Sequence, residues 1–261
     1  MTTAASLAHK ALAASWRPLA TMLVLVAAAE LAQRAGALPA FIPSPSQVVK
    51  EALNDPRLVY ENIGQTAWRA SVGYGIAAAV AITAGSIAVL LHRLHGTIYN
   101  LGVALNSIPI IAMAPLLATW IGNGSQLQIV IAAFASQFAM LVGTIQGLRA
   151  ADARQRELLY VLSASRPQVL RYLLIPSALP YLFAGFKIAA PSAVLGAITA
   201  EWAGADRGIG AMMLYALFAY DTPKVWLSVL LTCILAASGF AFWALIERVA
   251  IYWHPHAELA E

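Results

Sequence analysis

Hydrophobic residues along this chain fall into long runs separated by short polar or proline-rich breaks. Six runs are long enough to cross a bilayer, at about 18–37, 65–91, 97–121, 125–148, 177–201 and 225–252, since the hydrocarbon core asks for about 20 apolar residues per helix. Gly, Ala and Ser recur inside them, as at Gly73, Gly75, Gly85 and Ser86 in the second. Such residues let helix backbones approach closely where lipid supplies no hydrophobic drive for association. Gly143 and Gly147 make a GxxxG spacing near the end of the fourth run. The pattern predicts an all-α, polytopic membrane protein with about six transmembrane helices.

The breaks carry their own information. Pro39, Pro43 and Pro45 crowd together after the first run and predict an extended, stiff connection. Ser46 is then the expected N-cap of a short helix through Leu53, which Asn54-Asp55-Pro56 ends. A second break, from Arg149 to Pro176, is basic and amphipathic. A helix is expected over 150–162, with Leu158, Leu159, Val161 and Leu162 on an apolar side and Arg154, Arg156 and Glu157 on a polar one. Ser163-Ala164-Ser165 interrupts it. Ser165 is the expected cap of a second short helix with Pro167 in its first turn, ended by Ile175-Pro176. A helix–turn–helix at a membrane face suits a groove on a soluble partner. An interfacial linker that snorkels its arginines to lipid phosphates accounts for the segment equally well on physics alone.

Composition makes lipid the solvent. Of 261 residues 61% are hydrophobic and 11% charged, with mean hydropathy +0.73, against about 25% charged in a soluble domain. The net charge of +4 and pI near 9.3 follow from cytoplasmic loops that gather Lys and Arg, and call for no nucleic acid. An N-terminus inside the cell places Lys10, Arg17, Arg93, Arg149, Arg154, Arg156, Arg166, Arg171 and Arg248 on the cytoplasmic side. Arg34, Lys50, Arg57, Arg69, Arg207 and Lys224 then fall outside. The first run outlasts a signal-peptide core of about 7–15 residues and is expected to stay as a span. Cys233, the only cysteine, sits in an apolar run and reads as a buried, inert thiol. His92 and His95 lack further ligands for a metal, and no phosphate-binding loop of the G-x-x-x-x-G-K-[ST] type is present. No clustered acid, base and nucleophile suggests an enzyme. No catalytic residue, metal or cofactor is expected.

The cytoplasmic segment also carries a family likeness. Glu157-Leu158-Leu159, three residues, Ser163, nine residues, then Leu173-Leu174-Ile175-Pro176 resembles the EAA loop (EAA-x3-G-x9-I-x-L-P) of permease subunits of type I ABC importers. Ser163 stands at the glycine position, where a left-handed turn at a helix end costs a non-glycine residue about 1 kcal/mol. Ile42-Pro43-Ser44-Pro45 resembles the PSP motif of the nitrate/sulfonate/taurine group of these permeases. Ile108-Pro109 through Pro115-Leu116, and Trp120-Ile121-Gly122-Asn123-Gly124, are similar to its third-span pattern. Ala200-Glu201-Trp202, followed by Gly208-Ile209-Gly210, resembles its AE…GLG stretch.

The resemblance implies the type I ABC importer permease fold and an ATP-driven import role in the bacterial inner membrane. Its implied partners are an ABC ATPase subunit, a periplasmic or lipid-anchored substrate-binding protein, and a second copy of the chain. The expected layout is a cytoplasmic N-terminus (1–17), a first span (18–37) and an external linker with a short helix (38–64). A permease domain (65–252) holding the coupling loop 149–176 follows, then a cytoplasmic tail (253–261). Arg154, Glu157, Leu158, Leu159, Ser163, Ile175 and Pro176 are the expected ATPase-coupling residues. Candidate pathway or gate residues are Asn106, Ser107, Gln137, Lys187 and Glu201, with Ser136, Thr144 and Ser192 beside them. Lys187 should face the bundle interior or snorkel. Glu201, at the outer end of the fifth span, is either a gate or docking contact or a carboxylate satisfied by loop N–H groups. The solute is expected to be a small anion such as nitrate, a sulfonate or taurine, or a thiamine- or pyrimidine-like precursor, with the Lys187–Trp202 run nearer the vitamin-precursor branch. The alternative is a secondary transporter or channel working without an ATPase, for which no internal repeat is visible.

Overall fold

A computed structural model describes residues 20–39 and 41–251. The expected cytoplasmic segments 1–17 and 253–261 lie outside the described residues. All regular structure among the described residues is helical.

Prolines that read as stops turn out to be starts. After α1 (20–34), α2 (Pro45–Asn54) opens on Pro45, and its N-cap is Ser44 rather than Ser46. Ser44 N–H donates to Gln47 Oε1 at 3.0 Å while Gln47 N–H donates to Ser44 Oγ at 3.3 Å, a reciprocal capping box. Proline is tolerated there because the first helical N–H has no partner to lose. Ser46 instead donates its hydroxyl and N–H to Glu30, at 2.8 and 3.0 Å, fastening α2 to α1. Likewise α3 (Pro56–Leu90) begins well before the hydropathy edge at 65, with Asp55 accepting from Leu58 N–H at 3.0 Å.

The expected straight span 97–121 is broken. α4 (His95–Asn106) and α5 (Ile110–Ile121) meet at 93°. Pro109 lacks the N–H that would continue the ladder and drives Ile108 out of helical space. α6 (Ser125–Arg149) is continuous, and α7 (Ala153–Val161) and α8 (Arg166–Val169) form the surface segment. Ser165 caps α8 in a capping box with Gln168. Ile175-Pro176 does not end the second element as expected. A π-turn over Leu170–Leu174 leads straight into α9 (Ile175–Glu201), with Ile175 N–H donating to the Leu170 carbonyl. A regular α-turn would set the Pro176 ring against the carbonyl four residues back, and the wider turn relieves that clash. Residues 166–201 are therefore one rod. α10 (Ile209–Phe218) and α11 (Thr222–Ala250) complete the chain. Among the described residues four helices are long and apolar enough to cross a membrane (α3, α6, the rod and α11), or five if α4 and α5 count as one broken span.

The core is the α3–α6–α9 seam, and small residues build it. A Cβ on Gly143 would stand 2.7 Å from the Tyr181 carbonyl, and one on Gly147 2.8 Å from that of Ala178. The GxxxG spacing is thus the contact of α6 with α9. Ala77, Ala81 and Ala88 of α3 pack with Met140 and Ile145 of α6 and Ala189 of α9. By contrast α11 is strongly apolar, packs one side on α9 and α10, and has only Leu227 and Ser228 fully buried, as suits a helix whose other side faces lipid. Cys233 lies on it and is exposed, not buried.

Candidate functional site

Two surfaces at opposite ends of the rod combine polar chemistry with unusual geometry. At the first, α7 has no buried residue. Leu158, Tyr160, Val161 and Leu162 are exposed beside Arg154 and Glu157, and only Leu159 is half-buried. An apolar helix face left open in this way is available to a partner protein or to the membrane surface. Asp152 caps the helix by accepting from Arg154 N–H at 3.0 Å. Its far end closes at Ser163, which has φ +55°. Ser163 N–H donates to the Tyr160 carbonyl and Ala164 N–H to that of Leu159, both at 2.9 Å, the paired bonds of a Schellman turn. Ile175, exposed, and Pro176, half-buried, lie where the rod leaves the π-turn.

At the other end, Glu201 is fully buried. Its carboxylate accepts from the Thr66 hydroxyl at 2.8 Å, from Arg69 Nη1 at 3.1 Å and from Gly210 N–H at 2.8 Å. Thr66 Oγ1 in turn accepts from Ile209 N–H at 2.8 Å, and Asn62 Oδ1 from Gly208 N–H at 2.7 Å. Arg69 also donates to the Arg207 carbonyl at 2.6 Å. One α3 face (Asn62, Thr66, Arg69) and the last residue of α9 thus pin the loop that opens α10. Glycine is required in that loop. Gly208 has φ +131°, and a Cβ on it would overlap the Glu201 carboxylate. The Glu201…Gly208-Ile209-Gly210 pattern is the signature of this latch. Two cavities flank it. One of about 410 Å³ is lined by Glu61, Asn62, Arg207, Asp221 and Lys224. The other, of about 250 Å³, is lined by Gln65, Arg69, Asn123, Ser125 and Gln128, and Arg69 Nε and Gln128 Oε1 are buried without hydrogen-bond partners.

The remaining expected residues are not gathered with these. Asn106 and Ser107 are exposed at the α4–α5 break, Ser107 donating to the Val103 carbonyl at 2.8 Å. Gln137 is half-buried on α6. Lys187 makes a 2.5 Å ion pair with Glu247 of α11. Ser136, Thr144 and Ser192 each donate to the carbonyl four residues back, a helix-internal bond. Sequence reasoning did not pick out Asn62, Thr66 or Glu247, and it took Arg69 for a charge of the outer side. The available signal was that Arg69 falls inside an apolar run, where a charge requires a partner.

These features define an integral membrane protein whose transmembrane rod joins an open surface helix to a buried polar latch. Residues 77–250 match the model of the binding-protein-dependent transport system inner membrane component family, and the chain belongs to that family. A formylaminopyrimidine transport permease protein, ThiX of Halalkalibacterium halodurans, is 28% identical over 90% of this chain and 95% of its own length. The riboflavin transport system permease protein RibX of Chloroflexus aurantiacus is 30% identical over 58% of this chain and 56% of its own. The taurine transport system permease protein TauC of Escherichia coli is 23% identical over 84% of this chain and 82% of its own. In fold, the chain is similar to a chain of the inward-facing MetNI methionine ABC transporter. The TM-score is 0.60 at 20% identity, covering 74% of this chain and 95% of that one. The chain is therefore a multi-pass permease subunit of the type I ABC importer kind. It is a transport component rather than an enzyme, and its family implies an ATPase and a substrate-binding protein as partners.

Proposed function

We propose that two copies of the chain form the membrane pathway of an importer in the bacterial inner membrane, with the N-terminus cytoplasmic and α7–α8 docked on the ATPase. The observation that carries this is the continuity of residues 166–201. At ~1.5 Å per residue the rod is about 54 Å long, so a push on the α7–α8 turn is delivered to the Glu201 latch. In this reading Arg154, Glu157, Leu158 and Leu159 form the contact surface, Ser163 sets its turn, and Ile175 and Pro176 anchor it to the rod. Glu201 governs the outer end by holding the α10 loop rather than by lining a path, and the periplasmic or lipid-anchored binding protein delivers solute there.

A second copy is called for by the α4–α5 break. Non-helical backbone and polar side chains at membrane depth must be covered by protein or by a water-filled path, yet Asn106 and Ser107 are exposed on the single chain. A pathway between two copies, walled by Asn106, Ser107, Gln137 and, when its ion pair opens, Lys187, satisfies that requirement. For the solute we propose a pyrimidine-type vitamin precursor or an aliphatic sulfonate, since likenesses of nearly equal identity run through about nine-tenths of the chain to permeases for each.

The decisive test is Glu157→Lys in the full chain. Membrane insertion should be unchanged while co-purification of the ATPase is lost. Retained ATPase with normal uptake would overturn the docking surface. Uptake of a labelled aminopyrimidine against labelled taurine by the intact system decides the solute class.

A further inference from the structure

We propose that the cavity between the ends of α4, α6 and α9 is a binding site for the phosphate headgroup of an anionic phospholipid. The cavity, of about 440 Å³, is lined by His95 and Tyr99 of α4, Gln146 and Arg149 of α6, and Tyr181 of α9. Arg149 is the last residue of α6, and its Nη1 lies 3.0 Å from His95 Nε2. A guanidinium only donates, so His95 Nε2 accepts in this contact. His95 Nδ1 is buried with no hydrogen-bond partner. No carboxylate pairs with Arg149 among the described residues. The cavity therefore holds an unneutralised arginine, fixed in place by a histidine that stacks on Tyr99 with ring centroids 6.3 Å apart.

Position selects the ligand. The cavity lies at helix ends, where headgroups sit. Its two tyrosines are partly exposed, as amphipathic rings at a membrane interface are. Basic pockets between transmembrane helices bind anionic headgroups in this manner. The site requires only that the chain sits in a bilayer, and is independent of ATPase docking and of solute.

The full-length protein, purified in neutral detergent and stripped of lipid, is titrated separately with dioleoylphosphatidylglycerol, dioleoylphosphatidylcholine and inorganic phosphate. Thermal unfolding and lipid retained in native mass spectrometry are followed. The phosphatidylglycerol should be retained and raise the unfolding temperature well beyond the phosphatidylcholine, with no effect of inorganic phosphate. Arg149→Gln should weaken phosphatidylglycerol binding about fivefold, the worth of one arginine at an anionic surface, with Arg149→Lys in between. Arg93→Gln, an exposed neighbour outside the cavity, should leave it unchanged. Equal retention of the two lipids by the native protein overturns the proposal without recourse to any variant. So does full phosphatidylglycerol binding by Arg149→Gln, or stabilisation by inorganic phosphate alone.

Discussion

Ser163 shows how a residue that breaks a rule reveals the geometry around it. Its φ of +55° is a glycine's conformation, and the two hydrogen bonds that close α7 depend on it. Ser163→Gly should stabilise the end of α7 by about 1 kcal/mol, read as slower hydrogen exchange of the amides at position 163 and Ala164. A β-branched residue there should open the turn. Glu201 and Arg69 pose the opposite problem, a pair buried at the cost of desolvating both. Removing one partner leaves the other charge stranded, so Glu201→Ala should cost about 3–5 kcal/mol, measured by thermal unfolding in detergent. Replacing both Arg69 and Glu201 by leucine should cost less than either single change. The two sites were not equally legible. Motif spacing pointed to a strained turn at Ser163, because the turn is local. The Glu201…Gly210 half of the latch has a local motif, but no local pattern records that Asn62, Thr66 and Arg69 of α3 meet it.

Elements were legible in kind, and for the long spans in place, but not in number or direction. Hydropathy finds where a chain is apolar, and it placed α6 and α9 to within a few residues. It cannot tell that Pro109 turns the third run through 93° while Pro176 leaves a rod intact. The difference lies in what surrounds each proline. Beside Pro109 the chain keeps an extended backbone, with ψ 117°, whereas before Pro176 five residues widen into a π-turn. That π-turn needs a reason to persist, and proline supplies it. With Pro176→Ala the clash disappears and the segment should relax to α-helix, rotating α7 and α8 relative to α9 by about the 100° that one residue subtends. Solute uptake and ATP-coupled turnover should then fall severely while the protein still inserts and binds lipid. Normal uptake by this variant would mean that the rod does not transmit motion between the ends.

At the scale of the whole molecule, the question is which surface faces lipid and which faces a second copy. The single chain exposes two kinds of surface. α11 offers an uninterrupted apolar wall, including Val229, Leu230, Ile234 and Leu245, and lipid solvates such a surface at no cost. The α4–α5 break offers polar groups that lipid cannot solvate. The economical arrangement puts α11 outside and the break inside the dimer. Cys233 reports on this without any engineering, since it is the only cysteine and lies exposed on α11. Moving a charged reagent into hydrocarbon is costly, so such a reagent does not reach a lipid-facing thiol. In native membranes Cys233 should be inert to charged methanethiosulfonate reagents and label slowly with a membrane-permeant maleimide, at the same rate with or without ATP. An engineered cysteine at Ser107 in a Cys233→Ser background should label with the charged reagents and change rate with ATP. Rapid labelling of Cys233 by a charged reagent, or its oxidation to a disulfide-linked dimer, would place α11 on the pathway or the dimer seam and reverse the assignment of inside and outside.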